Sequence, residues 1–391
     1  MAKKIILACL AAVMIMGALT ACGKKSGTNE TQKTETSDTQ KEETGNTQKS
    51  DTNEPKKTYE LTVSGINGSI NYTPVYIARE KGFLDEAGLK IDEVMFDNGP
   101  VQMEALGSDS WDIGATGVGG VLSGAIGYDA LMIGASNSDN GTQTIWVRKD
   151  SKIAAAGTGN NEVNSSIVGD AASWKGAKVL CNSGTVLQYL LLKTIGGFGL
   201  SLNDIEFVSM DSPTANSAFL AGQGDAAVVT GAISFSPDKD DYVLASSGNL
   251  ADTGLMCNFM VNKNSYNDPE KYEAMKIFME VYFKTIDWMN ENKQEAAQLC
   301  SDFNQECGIN LSPETATLYL GQDPYYSLDD VYNMMHDKAE GADYSVMEGK
   351  LIDVLKFFIQ YGNYKDGDDQ KFLGHMDTKL IDEVYADLNG K

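Results

Sequence analysis

"YELTVSGINGSINYTPVYIAREKGFLDEAGLKIDEVMF" spans Tyr59 to Phe96, and the order of its signals decides the architecture. "YELTVSGI" (59–66) reads as a strand. "NGSINYTP" is a turn-rich loop that opens a helix, with Pro74 near the first position, where a missing N–H costs nothing. "LKIDEVMF" (89–96) reads as a second strand. Two strands joined through a helix can pair only in parallel, because the helical crossover returns the chain to the end where it began.

The alternation continues outward from this unit. The helix "GPVQMEALG" is followed by the short strand "WDIGATG" (111–117), a helix from Val118 to Tyr128 and the strand "DALMIGASN" (129–137). "TQTIWVRKD" (142–150) reads as an extended crossing, and a Gly/Asn/Ser-rich loop (157–166) follows it. A second alternating series then begins with "GAKVLCN" (176–182) and the helix "TVLQYLLLKTIG" (185–196). It runs through "IEFVSM" (205–210), the helix "PTANSAFLAG" (213–222), "DAAVVTG" (225–231) and "YVLASS" (242–247). "GLMCNFMVNK" (254–263) is a second extended crossing. Beyond it the pattern turns helical, with Asp268-Pro269-Glu270 and Ser312-Pro313-Glu314 as helix starts and Gly362 closing "VMEGKLIDVLKFFIQYG". The expected fold is α/β with two lobes, each a mainly parallel sheet with helices on both faces. A two-strand hinge joins them, and a helical C-terminal part completes the chain. The expected division is lobe 1 over 59–145, lobe 2 over 146–256, and a return to lobe 1 with the C-terminal helices over 257–391.

The N-terminus carries a different message. Lys3 and Lys4 precede an apolar run from Ile5 to Leu19, too short for a comfortable membrane span and laid out like a secretory signal peptide. The run ends Leu19-Thr20-Ala21-Cys22, which resembles the bacterial lipobox. On that reading residues 1–21 are removed and Cys22 is acylated with palmitate-type chains. Residues 22–57 are polar apart from a few small residues, so they bury too little apolar surface to offset ordering entropy and are expected to form a disordered tether. Roughly thirty-five such residues reach about 30 Å on average and about 115 Å when taut. A lipid-anchored protein on the extracellular face of the membrane, at a Gram-positive cell surface, is the expected location.

Composition removes several classes. The formal net charge is −24, which argues against nucleic acid, since phosphate binding needs a basic face. Of six cysteines, Cys9 leaves with the signal and Cys22 carries lipid. Cys181, Cys257, Cys300 and Cys307 have no CxxC spacing and are expected as buried free thiols. The two histidines, His336 and His375, lie outside metal-ligand spacings, so no metal or cofactor is expected.

Four stretches together resemble one family. "INYTPVYIAREKGFLDEAGLKID" (70–92) resembles the first loop-helix of the nitrate/sulfonate/taurine/thiamine-precursor group of ABC-importer substrate-binding proteins. "LGSDSWDIGATG" (106–117), "SWKGAKVLCNSGT" (173–185) and "LAGQGDAAVV" (220–229) resemble three further segments of that group in the same order. The likeness covers roughly residues 59–290, with extra residues around 154–172. It implies a type II periplasmic-binding-protein fold. It also implies a monomer that captures a small anionic or zwitterionic solute between its lobes and passes it to a membrane permease with its ATPase. An aliphatic sulfonate, taurine, nitrate or a thiamine-precursor-like compound would suit that role. Pyrimidine synthases and menaquinone-pathway enzymes share the fold; the former rely on a cysteine-rich motif and histidines that this chain lacks. A ligand-sensing surface protein without transport is a third reading.

In open α/β sheets ligands sit beyond the carboxyl ends of the strands. That rule selects Ser69, Asn71 and Tyr72 after the first strand, and Thr116 and Gly117 after the third. In the second lobe it selects Ser183, Gly184 and Thr185, then Thr230 and Gly231. Ser183-Gly184-Thr185 opens an apolar helix whose free N–H groups favour an anion, or else serves as a simple N-cap. Tyr72 either stacks on a ligand or packs in its lobe. Asp211 either pairs with a ligand amine or caps the next helix. Asn137 and Gln143 border the crossing and are weaker candidates. No arginine lies in these loops, and Thr230-Gly231-Ala232-Ile233 departs from the aromatic or Pro-containing loop of many relatives.

Overall fold

The structure is a computed structural model and describes residues 57–390. The expected signal segment, Cys22 and the polar stretch up to residue 56 lie outside the described residues.

Among the described residues ten strands form two five-stranded sheets. They are β1 (Tyr59–Ile66), β2 (Leu89–Phe96), β3 (Ile113–Thr116), β4 (Leu131–Ser138), β5 (Thr144–Arg148), β6 (Lys178–Cys181), β7 (Glu206–Ser209), β8 (Ala226–Val229), β9 (Tyr242–Ser247) and β10 (Met256–Val261). The first sheet has the order β2-β1-β3-β10-β4 and the second β7-β6-β8-β5-β9. β1 and β2 pair in parallel from Tyr59 opposite Leu89 to Ile66 opposite Phe96, as the opening stretch requires. Only β10 runs against its neighbours in the first sheet, and only β5 does so in the second. The cause is topological. Each reversed strand is the one the chain makes on arriving from the other sheet. It enters at the carboxyl edge, where the lobes face each other, and so must run the opposite way.

The two crossings, residues 139–143 and 248–255, lie side by side as the two-strand hinge. The Asp139 N–H donates to the Leu255 carbonyl at 3.0 Å and the Gly248 N–H to the Gln143 carbonyl at 2.9 Å. Asn140 Oδ1 accepts from the Leu255 N–H and the Thr253 hydroxyl, both at 2.8 Å. Asp323, brought in by the C-terminal part, accepts from the N–H groups of Asn140 and Gly141 at 2.9 and 2.7 Å. It also accepts from the N–H and hydroxyl of Thr142. The backbone of a crossing has no strand partner on that side, and the buried carboxylate supplies one.

The C-terminal helices wrap the first sheet and reach the second. Helix Pro269–Glu291 starts at Asp268, whose carboxylate accepts from the Glu270 and Lys271 N–H groups at 2.9 and 3.0 Å, and it packs Tyr282 edge-on against Phe259 of β10 at 4.8 Å. Helix Val346–Gln360 places Phe357 against Tyr189 of the second lobe at 4.8 Å. Tyr282 and Phe259 are buried whole, and rings of this size so buried each contribute about 1.5–3 kcal/mol. The short helix Lys152–Ala156 before the 157–166 loop starts at Ser151, whose hydroxyl accepts from the Ala154 N–H at 3.1 Å, and Asn161 fastens that loop through its amide to the Thr194 carbonyl.

Cys181, Cys257, Cys300 and Cys307 are all free thiols. Three are buried as expected, but Cys307 is half-exposed. It sits at the C-terminal end of helix Lys293–Glu306 and faces the space between the lobes. No described helix is long and apolar enough to cross a membrane.

Candidate functional site

Strand ends converge between the sheets on a cavity of about 400 Å³, within the range of small-molecule sites. The first lobe contributes Asn67–Asn71 after β1, Asp97–Pro100 after β2 and Gly117, Gly119 and Gly120 after β3. The second contributes Asn182 and Thr185–Leu187 after β6, Asp211–Pro213 after β7 and Thr230–Ile233 after β8. The hinge adds Asp139 and Thr142, β10 adds Cys257, and the C-terminal part adds Cys307–Ile309 and Tyr319. Tyr319 links the walls: its hydroxyl accepts from the Ile70 N–H at 2.8 Å, donates to the Gly68 carbonyl at 3.3 Å, and lies beside Gly231.

Three helices of eight or more residues point their N-terminal ends at this space. Gly117 caps Val118–Tyr128, Thr185 caps Val186–Gly196 and Asp211 caps Ser212–Leu220. The first N–H groups of each have no intrahelical acceptor and carry the positive end of the helix dipole. The loop glycines permit the close approach. A Cβ added to Gly119 would overlap the Gly184 carbonyl oxygen across the gap and lie 3.1 Å from Thr185 Cα.

Of the residues selected from sequence, Ser69, Asn71, Gly117, Thr185, Thr230, Gly231 and Asp211 line the cavity. Tyr72 does not. It is buried against Phe303, its hydroxyl donating to Glu93 at 2.8 Å, so packing wins over ligand stacking. Thr116 lies behind Gly99 and Gly120, buried, with an unpartnered hydroxyl. Ser183 and Gly184 also lie outside the lining. The expected anion nest is filled from within, because Gln188 Oε1 accepts from the Gly184 N–H at 2.6 Å and from the Ser183 hydroxyl at 3.3 Å. Asp211 caps its helix, accepting from the N–H and hydroxyl of Thr214 at 2.8 and 2.9 Å, while still bordering the cavity. Asn137 is buried near the end of β4, bonding to Ser136 and Ser138, and Gln143 is buried in the hinge, bonding to the Asp139 carbonyl.

Asp139 is the residue the sequence did not single out. Its carboxyl lines the cavity at 9 % exposure. Burial, and next the charge of Asp323, push its pKa up to about 7. The Cys257 thiol lies within reach of both this carboxyl and the Asn71 amide, and burial keeps that thiol protonated. Asn71, 1 % exposed, has no nitrogen or oxygen partner for either amide atom. Among the described residues the charged side chains on the lining are Asp97, Asp139 and Asp211, and no Lys, Arg or His lines the cavity.

Solved structures of the same architecture support the fold assignment. The alkanesulfonate-binding protein SsuA of Xanthomonas axonopodis pv. citri, bound to MOPS, superposes with a TM-score of 0.60 at 19 % identity, covering 84 % of this chain and 98 % of that one. The periplasmic nitrate-binding protein NrtA of Synechocystis PCC 6803 gives 0.63 at 14 % identity, covering 85 % and 90 %. Among sequence relatives, a candidate ABC transporter periplasmic binding protein of Brachyspira hyodysenteriae is 25 % identical over 68 % of this chain and 75 % of its own length. Residues 54–301 match the model of the NMT1-like family, and the chain belongs to that family.

Proposed function

We propose that this chain is the solute-capturing component of an ABC importer. It closes two lobes on a small acidic or zwitterionic molecule and passes it to a permease and its ATPase. One observation carries this reading: a cavity of about 400 Å³ lies between two sheets joined through paired crossings, lined by backbone, amide and hydroxyl groups. The converging helix ends support an acidic group on the solute. The missing basic side chain argues against a ligand of high negative charge, which would lack a counter-charge. The binding proteins among its relatives and structural neighbours support the same class. The sequence around Cys22 supports lipid anchoring outside the cell, with the polar stretch as tether.

A thermal-shift screen of small acids and zwitterions tests the reading. A true solute at a hundred times its Kd adds about 2.7 kcal/mol, and small-angle scattering should show a smaller radius of gyration with it bound. Steady turnover of the bound compound would instead make the protein an enzyme.

A further inference from the structure

Resting on that reading, we propose that the solute carries a basic nitrogen, a protonated amine or amidine, which docks on Asp139 and Asn71 at the hinge side of the cleft. Three observations combine. First, a buried carboxyl needs a partner of opposite charge or several donors, and the described residues supply no cation here. The titratable groups facing Asp139 are Asp323 beside the crossing, Cys257 on β10, and Tyr319 and Tyr326 from the C-terminal part. All are acids or neutral donors. Second, Asp323 already accepts from Asn140, Gly141 and Thr142, so it is satisfied, whereas Asp139 lines the cavity with only neutral donors, the Gln143 amide and the Cys257 thiol, beside its carboxyl. Third, Asn71 leaves a buried amide oxygen without a nitrogen or oxygen partner beside it. An ammonium group has three donors and no acceptor, and it fits one carboxylate, one amide oxygen and one further cavity acceptor. Thr185 and Asp211 cap their own helices, but the helix start at Gly117 has no side-chain cap and is open to an acidic group, so a zwitterion finds a partner for each of its charges.

Fractionation by charge tests this with the solute still unidentified. A metabolite extract is passed over a strong cation exchanger at about pH 3, below the ordinary carboxylate range, which separates compounds with a basic nitrogen from those without. Each fraction is added to the full chain in mild detergent, and Tm is followed. The expected result is a rise of several degrees with the retained fraction only. The compound purified from that fraction should bind Asp139→Asn at least about thirtyfold more weakly, as when one partner of a buried charge pair is removed. A rise confined to the unretained fraction overturns this inference and leaves the solute-binder reading standing. Equal affinity of Asp139→Asn for the purified compound also overturns it. No rise with either fraction removes both.

Discussion

Asp139 occupies a poor place for a charge, and that has a measurable cost. Its ordinary pKa is 3.8, and burial with Asp323 alongside raises it to about 7. The folded chain therefore keeps a proton that the unfolded chain has already released between about pH 4 and pH 7. Stability falls through that window as pH rises and levels out above it. Cys257, Tyr319 and Tyr326 face the same carboxyl, but burial raises all three, so they stay neutral throughout. Asp139→Asn removes the titrating group at nearly constant shape. Its stability relative to the wild type should improve by about 2 kcal/mol between pH 5 and pH 8 in urea unfolding. A difference that does not change with pH would mean that Asp139 ionises freely. Sequence could not single out this residue, because its environment is made by Asp323, far along the chain in a separate helical segment. The Ser183-Gly184 loop is the opposite case, since the group that fills it was visible. Thr185 and Gln188 have the spacing of a capping box, in which the third helical residue reaches back to the preceding N–H groups.

Elements were more legible than residues, and for a physical reason. Strand-helix alternation and caps such as Asp268 and Ser312 are local signals, set by a few neighbouring side chains. The reversed direction of β5 and β10 is not local, because it follows from where the crossings enter each sheet. The meeting of helix Val118–Tyr128 with the second lobe is likewise a tertiary fact that turns on Gly119. Its missing side chain lets the Gly184 carbonyl and Thr185 approach. Gly119→Ala should strengthen the helix itself, by up to about 1 kcal/mol on propensity, yet its methyl group would meet a backbone oxygen that cannot move without parting the lobes. The two effects have opposite signs and separate cleanly. Unliganded Tm should hold or rise, while affinity for the solute should fall at least tenfold and the liganded radius of gyration should stay large. Unaltered affinity would show that closure does not bring these surfaces together.

The whole chain carries a formal net charge of −24, and this bears on the proposed lipid anchoring. Anionic lipid headgroups repel such a chain rather than hold it, and no described helix can span a bilayer. On the proposed reading retention rests on Cys22, where the chain passes from the apolar Ile5–Leu19 run to a polar stretch. Each buried methylene contributes about 0.8 kcal/mol, a single acyl chain holds only marginally, and two or more anchor firmly. With charge opposing attachment, loss of the lipid should leave nothing to compensate. Cys22→Ser should thus abolish incorporation of an alkyne-tagged fatty acid and move the protein from the membrane pellet to the soluble fraction. Raised ionic strength should not restore it, because screening weakens repulsion without adding attraction. Circular dichroism and the thermal shift with solute should be unchanged, since residue 22 is not among the residues that line the cleft. Labelling that survives the substitution, or a variant that still pellets with membranes, would place the attachment elsewhere in the chain.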